Sequence, residues 1–383
     1  MKIDKKLSDL PLTKSNPNAL NSLFGYSDVE AMWVADMDFE VAKPIQDALI
    51  NRISNSGFAY EYKPESFFKA QKKWYWDHYQ LDLIKEHLLY SPSITSTISV
   101  IIENFSSESD GIIIQPPVFM EFRDVIRKTK RKIIKNPLKL VENKRYEIDF
   151  EDLEEKAKSD ANKILIICNP HNPVGRVWTN EELEKIVAIC KKNKLILISD
   201  EIHKDIILFD NKFTSLLHFS DQLESLIVCT SEAKTFNLCG ISDSMAVVPN
   251  DKIRNSISSV FKKYNLGRTN ALTRVALEAA YTNGNEWLLD LIKTIEDNVN
   301  SIEEVLKDTK IKLIKPQGTY QVWLDFRELY TDTKDMFEQL TKNSKVGMNA
   351  GHWFGREGAL FMRMNIATSN EKVMESILKI KEA

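Results

Sequence analysis

Three polar residues stand just beyond short apolar runs: Asn172 after residues 164–168, Asp200 after 195–199, and Lys234 after 226–229. An amide, a carboxylate and an amine in that order are the set needed to hold and use pyridoxal phosphate. The lysine amine condenses with the cofactor aldehyde to form a Schiff base. A carboxylate beside the pyridine nitrogen keeps that nitrogen protonated, so the ring can take up electrons. An amide donor at the ring's phenolic oxygen favours its ionised form. The phosphate needs hydroxyls and backbone amides, best supplied at a helix N-terminus. Ser231 lies three residues before Lys234, where it could touch that phosphate. Taken singly, Asp200 reads equally well as a helix N-cap, Ser231 as a turn residue and Lys234 as a solvated surface lysine. The cofactor reading rests on the combination.

The elements that must position these residues follow from the apolar pattern. Residues 111–115, 164–168, 195–199 and 226–229 lack polar alternation, which predicts strands buried on both faces of a sheet. Between them, Thr179 to Glu182 has the form of a capping box, and Leu183, Ile186, Val187 and Cys190 continue as one helical face. Strand–helix–strand units of roughly 30 residues imply a mostly parallel α/β sheet. Such a sheet binds ligands beyond the carboxyl ends of its strands, where Asn172, Asp200 and Lys234 fall. After residue 270 the pattern changes. Helical periodicity over 270–308 precedes strand-like stretches at 320–326 and 360–365, predicting a smaller α+β domain. The expected organisation is a large cofactor domain over 41–280 and a small domain over 281–383, which residues 1–40 join.

Composition narrows the function classes. The 383 residues exceed one ordinary domain, and 43% hydrophobic with 28% charged residues describes a soluble globular chain. A net charge of −3 argues against nucleic acid or an anionic membrane as partner. No apolar stretch suits a signal peptide or a membrane span. Cys168, Cys190, Cys229 and Cys239 match no metal or redox spacing and read as buried free thiols, so a cytoplasmic setting is expected. No GxGxxG follows a predicted strand, which removes a nicotinamide dehydrogenase, and no histidine spacing suggests a metal site.

The motifs NPHNPVGR at 169–176, SDEIH at 199–203 and KTFN at 234–237, with WVADMDF at 33–39 and FMRMN at 361–365, resemble those of class I/II aminotransferase-fold enzymes. More narrowly, they resemble the bacterial cystathionine β-lyase-type C–S lyases, in order and over nearly the whole chain. The resemblance implies the α/β fold of fold-type-I pyridoxal-phosphate enzymes. It also implies Lys234 as the Schiff-base residue and Asp200 at the pyridine nitrogen. Asn172 and His203 then lie along the phenolic edge, and Phe119 on the ring face. Phosphate contacts fall to Ile94, Thr95 and Ser231, and to Tyr62 acting on a neighbouring subunit. Arg363 is expected to clamp the substrate α-carboxylate, with the backbone of Ala35 nearby. A planar guanidinium can bond both oxygens of a carboxylate, which suits that role. A homodimer with shared active sites follows, in which Arg268, Thr269 and Asn270 approach the partner.

The chain also departs from the family pattern. Phe119 replaces a usual tyrosine, Ala233 a frequent serine, and Glu61 a usual glycine; the Trp-Asp pair common near residues 15–20 is missing. His352, Trp353 and Phe354 are candidates to line the substrate entrance. The reaction implied is β-elimination from S-substituted L-cysteine, giving thiol, pyruvate and ammonia. An aminotransferase shares the same residues and stays open as the alternative, as does a non-catalytic regulatory protein that binds the cofactor.

Overall fold

The computed structural model describes residues 1–383, the side chain of Ser8 excepted. Its main sheet has seven strands: β1 (Leu88–Ser91), β2 (Gly111–Ile114), β3 (Lys132–Lys135), β4 (Asn162–Cys168), β5 (Ile196–Asp200), β6 (Leu226–Thr230) and β7 (Ser244–Val247). Their spatial order is β1–β7–β6–β5–β4–β2–β3. β7 runs antiparallel to both neighbours, and the pairings from β6 through β3 are parallel.

The unbroken apolar runs are explained by two cores, one on each face. Leu165 and Ile167 of β4 enter one cluster, while Ile164, Ile166 and Cys168 enter the other. β5 and β6 divide in the same way, with Leu197 and Val228 on one side and Ile198 and Ile227 on the other. Each fully buried side chain of this size stabilises the fold by roughly 1.5–3 kcal/mol. Helices close both faces. Ile94–Phe105 packs Ile98, Ile101 and Ile102 onto the sheet. Asn180–Asn193 opens with the expected capping box: Thr179 accepts from the Glu182 amide, and Glu182 accepts from the Thr179 amide.

A second, antiparallel sheet is built from β8 (Lys312–Ile314), β9 (Gln321–Asp325), β10 (Asn349–Ala350) and β11 (Phe361–Asn365), in the order β8–β9–β11–β10. The N-terminal segment is tied to it. Glu30–Ala31 pairs with Val346–Gly347, and the Asn365 amide donates to the Met32 carbonyl at 2.8 Å. The helical pattern over 270–308 is two helices, Ala271–Asn283 and Asn285–Leu306. They meet at Gly284, where a Cβ would lie 2.5 Å from both the Ala280 carbonyl oxygen and the Phe236 ring. The cysteines need one correction. Cys168, Cys190 and Cys229 are buried, but Cys239 is exposed, because it lies on the turn after Lys234 instead of in a strand. Among the described residues no helix is long and apolar enough to cross a membrane.

Candidate active site

Parallel pairing brings the carboxyl ends of β4, β5 and β6 side by side. Asp200 is in register with Cys168 on one flank and Cys229 on the other, so it sits at the tip of the middle strand. Above it lies a cavity of about 180 Å³, bordered by Lys234, Asn172, His203, Phe119, Ala35 and the segment 93–95.

Asp200 is only 4% exposed and accepts one hydrogen bond, from the Ile202 amide at 3.1 Å. Burial pushes its carboxyl up to about 7, against the opposing pull of that amide and of the Lys234 charge. A carboxyl so placed needs a cationic N–H partner to stay ionised. Lys234 rises from the turn after β6, and its amine donates to the Ala35 carbonyl at 2.7 Å and contacts the Cys239 sulfur at 3.4 Å. His203 is neutral: burial first, then the Lys234 and Arg363 charges, bring its imidazole down to about 3. Its ring meets Tyr320 edge-on at 5.8 Å.

The helix Ile94–Phe105 points its N-terminus into the same cavity. Ser93 caps it, accepting from the Ser96 amide at 3.1 Å. Among the described residues the amides of Ile94 and Thr95 have no acceptor. Two free amides at the positive end of a helix form an anion site. Phe119 precedes the helix Met120–Lys128 and borders the cavity, its ring edge-on to Phe122 at 5.6 Å.

Arg363 comes from β11, opposite Asn349 of β10. Its guanidinium donates to Asn349 Oδ1 at 2.6 Å, to the Trp33 carbonyl at 2.8 Å and to Asn172 Oδ1 at 3.2 Å. Every one of these acceptors is neutral, and its Nε has no partner among the described residues. Burial lowers the group to about 10, which leaves it charged at neutral pH. A buried cation without a counter-charge is a receptor for an anion, and the planar fork suits a carboxylate. Because the Asn172 oxygen is engaged by Arg363, its amide N–H groups remain for the cavity.

Tyr62, expected at a neighbouring subunit's phosphate, and Ser231 do not line this cavity. Tyr62 is 83% exposed and does not border the cavity; its carbonyl accepts from Arg274. Ser231 is buried, and its hydroxyl donates to the Asp243 carbonyl at 2.6 Å while accepting from the Ala233 amide at 3.2 Å. Arg268, Thr269 and Asn270 line a separate open groove of about 890 Å³ together with Phe58 and Tyr60. Glu61, in the place of a glycine, is bound by Arg52 and Arg274 at 2.5 and 2.9 Å. Around Arg363, Phe354 stacks beneath the guanidinium at 4.9 Å, whereas His352 is exposed.

Sequence reasoning missed Asn349, Tyr320 and Cys239. Tyr320 donates to the same Ala35 carbonyl as Lys234, at 3.0 Å. Cys239 could have been flagged from its distance of five residues from Lys234; the pairing of Asn349 with Arg363 has no local signal.

Together these groups fit pyridoxal phosphate. The unpaired carboxyl of Asp200 suits a protonated ring nitrogen, the free amides of Ile94 and Thr95 suit a phosphate, and Lys234 supplies the amine. The family model Aminotransferase class I and II matches residues 36–380. Cystathionine beta-lyase PatB of Bacillus subtilis is 33% identical, with 100% of both chains covered. A pyridoxal-phosphate-bound chain from Clostridium difficile 630, provisionally assigned as an aminotransferase, is 34% identical with a TM-score of 0.95, covering 99% of this chain and 98% of that one. Cystalysin of Treponema denticola, which contains pyridoxal 5'-phosphate, is 30% identical with a TM-score of 0.93, covering 100% and 97%.

Proposed function

The chain belongs to the class I and II aminotransferase family, and from that premise we propose that it is a pyridoxal-phosphate-dependent C–S lyase. Its substrates would be S-substituted L-cysteines such as cystathionine, cleaved with uptake of one water to thiol, pyruvate and ammonia. The carrying observation is the convergence of the Lys234 amine and the Asp200 carboxyl on one cavity, with the Arg363 guanidinium, which has no anionic partner, held against its wall residue Asn172.

Bound pyridoxal phosphate supplies an aldehyde that captures amines and a protonated ring that accepts electrons from a broken Cα–H bond. The protein does the rest. Ile94 and Thr95 hold the phosphate, Phe119 packs on the ring face, and Asp200 keeps the proton on the ring nitrogen. His203 and Asn172 face the phenolic edge. Arg363 binds the substrate α-carboxylate and so turns Cα–H toward Lys234. Lys234 is placed to remove the Cα proton, a positioned general-base step that typically contributes ~10²–10⁴-fold. With the cofactor bound, loss of that proton would let the C–S bond break with its electron pair leaving on sulfur.

Similarity to the Clostridium difficile chain supports a second reading, amino transfer to a 2-oxo acid, which uses the same first steps. Purified enzyme given L-cystathionine without any oxo acid should form pyruvate over many turnovers. Turnover only after an oxo acid is added would overturn the lyase.

The proposal includes a homodimer. Ile50, Ile53, Phe58, Tyr60 and Tyr62 are all exposed, near the open groove that holds Arg268, and a second copy would cover them. In that arrangement Tyr62 would complete the phosphate contacts, while the Ser231 hydroxyl stays with the Asp243 carbonyl. Three buried free thiols support a reducing, cytoplasmic setting. Residues 41–280 would form the large domain, and residues 1–40 with 281–383 the small one.

A further inference from the structure

Lys234 stands on a turn, so something other than strand pairing must hold its backbone. The residues on either side face inward. Glu232 accepts from the Lys204 ammonium at 3.1 Å, and the Thr235 hydroxyl donates to Asp205 at 2.6 Å. Lys204 and Asp205 touch each other at 3.3 Å. All three charged groups are buried, Lys204 to 1% exposure. Asp205 also accepts from Trp74 Nε1 at 3.0 Å and from the Tyr79 hydroxyl. The rings of Tyr75 and Tyr79 flank the ammonium at 5.3 and 6.0 Å, and Tyr281 faces Glu232. Farther along, Asn237 is fixed to the backbone of Met37 and Phe39.

Lys204 and Asp205 belong to the turn that follows Asp200. The cluster therefore joins the turn that follows the ring-nitrogen carboxylate to the turn carrying the amine. We propose that the buried Lys204–Asp205–Glu232 cluster is a positioning device that sets where Lys234 stands relative to Asp200. This inference rests on the cofactor reading given above. None of its members borders the cavity, so they act through Lys234 and Thr235 and not on substrate.

The charges support the geometry. Burial alone would lower the Lys204 ammonium, yet Asp205 and Glu232 hold it well above the usual lysine range. Burial would raise Asp205, but Lys204 and its hydrogen-bond donors leave it below the usual carboxylate range. Two acids and one base leave an excess negative charge behind the lysine turn. Removing one partner of such a cluster strands the others, so the local backbone is sensitive to each. Glu232→Gln preserves shape and hydrogen-bonding capacity while deleting one charge.

The test uses the full-length protein with pyridoxal phosphate. Cofactor affinity is measured by equilibrium dialysis on the apo-protein, and the pH midpoint of the Lys234-dependent absorbance is measured on the loaded protein. Glu232→Gln should fold, bind the cofactor about tenfold more weakly and move the midpoint by about half a pH unit or more. Its kcat should fall more than its KM changes. Lys204→Met should exceed these effects; if it does not fold, Glu232→Gln alone decides. A Glu232→Gln protein with unchanged affinity and midpoint, differing only in melting temperature, would overturn the positioning role. Wild-type protein showing no Lys234-dependent absorbance would overturn the cofactor reading and the inference with it.

Discussion

The amine of Lys234 and the carbonyl of Ala35, 199 residues apart, meet at 2.7 Å. Ala35 lies on the N-terminal segment that is tied to the second sheet, while Lys234 stands on the turn after β6 of the first. One hydrogen bond thus aims the reactive amine from a distant part of the chain, and Tyr320 braces the same carbonyl.

That placement predicts which residue carries the cofactor. Borohydride treatment of the loaded enzyme should fix one cofactor mass to the peptide containing Lys234. Lys234→Ala should take no fixed mass and lose roughly 10²–10⁴-fold or more in rate. Adduct formation at another lysine would remove Lys234 from its role.

Arg363 donates to three neutral acceptors with geometry an ammonium cannot copy. Arg363→Lys keeps the charge but loses the fork. We expect kcat/KM for amino-acid substrates to fall by about 10–100-fold, equivalent to roughly 1.4–2.8 kcal/mol. Cofactor binding should change little, which dialysis would check. An unaffected kcat/KM would mean that the carboxylate is bound elsewhere.

Asp200 links stability to pH in the cofactor-free protein. Its carboxyl is raised from 3.8 to about 7 by burial. An acid with a raised folded pKa stabilises the fold below its unfolded pKa, and that contribution is lost as pH rises through the folded value. Apo-protein should therefore weaken between about pH 4 and pH 7, by an amount on the order of a few kcal/mol. Glu201, also raised to about 7 by burial, acts in the same direction. Asp200→Asn should flatten part of the decline in melting temperature, and bound cofactor should remove the Asp200 part by giving the carboxylate a cation. Parallel melting curves for wild type and Asp200→Asn would refute the assignment.

Phe119 borders the cavity without a hydroxyl to lend. Phe119→Tyr should leave cofactor affinity nearly unchanged, because the stacking ring remains. Phe119→Leu should weaken it by about 2–10-fold, the worth of one aromatic contact. Fluorescence titration of the apo-protein distinguishes the two. Equal affinity for Leu and Phe would show that the ring does not meet the cofactor.

Asn172, Asp200 and Lys234 were legible because each follows an apolar run that had to become a buried strand, and parallel strands align their carboxyl ends. The capping box at Thr179 was legible for a similar reason, since its partners are three residues apart. Arg363 and Ala35 were reached through motif resemblance; their periodicity alone would have left them on an unremarkable strand and loop. The hydroxyl of Ser231 looked available, yet the fold commits it to Asp243 and Ala233.

The sequence by itself determined the sheet, the strand-end chemistry and the family motifs, because burial periodicity and short-range spacing act over a few residues. The tertiary structure decided the contacts: Asn349 under Arg363, Lys204 against Glu232, Cys239 in the open, and Lys234 on the Ala35 carbonyl. These depend on strand order, register and turn conformation. Such relationships arise only when segments up to hundreds of residues apart pack together, and no local pattern of residues encodes them.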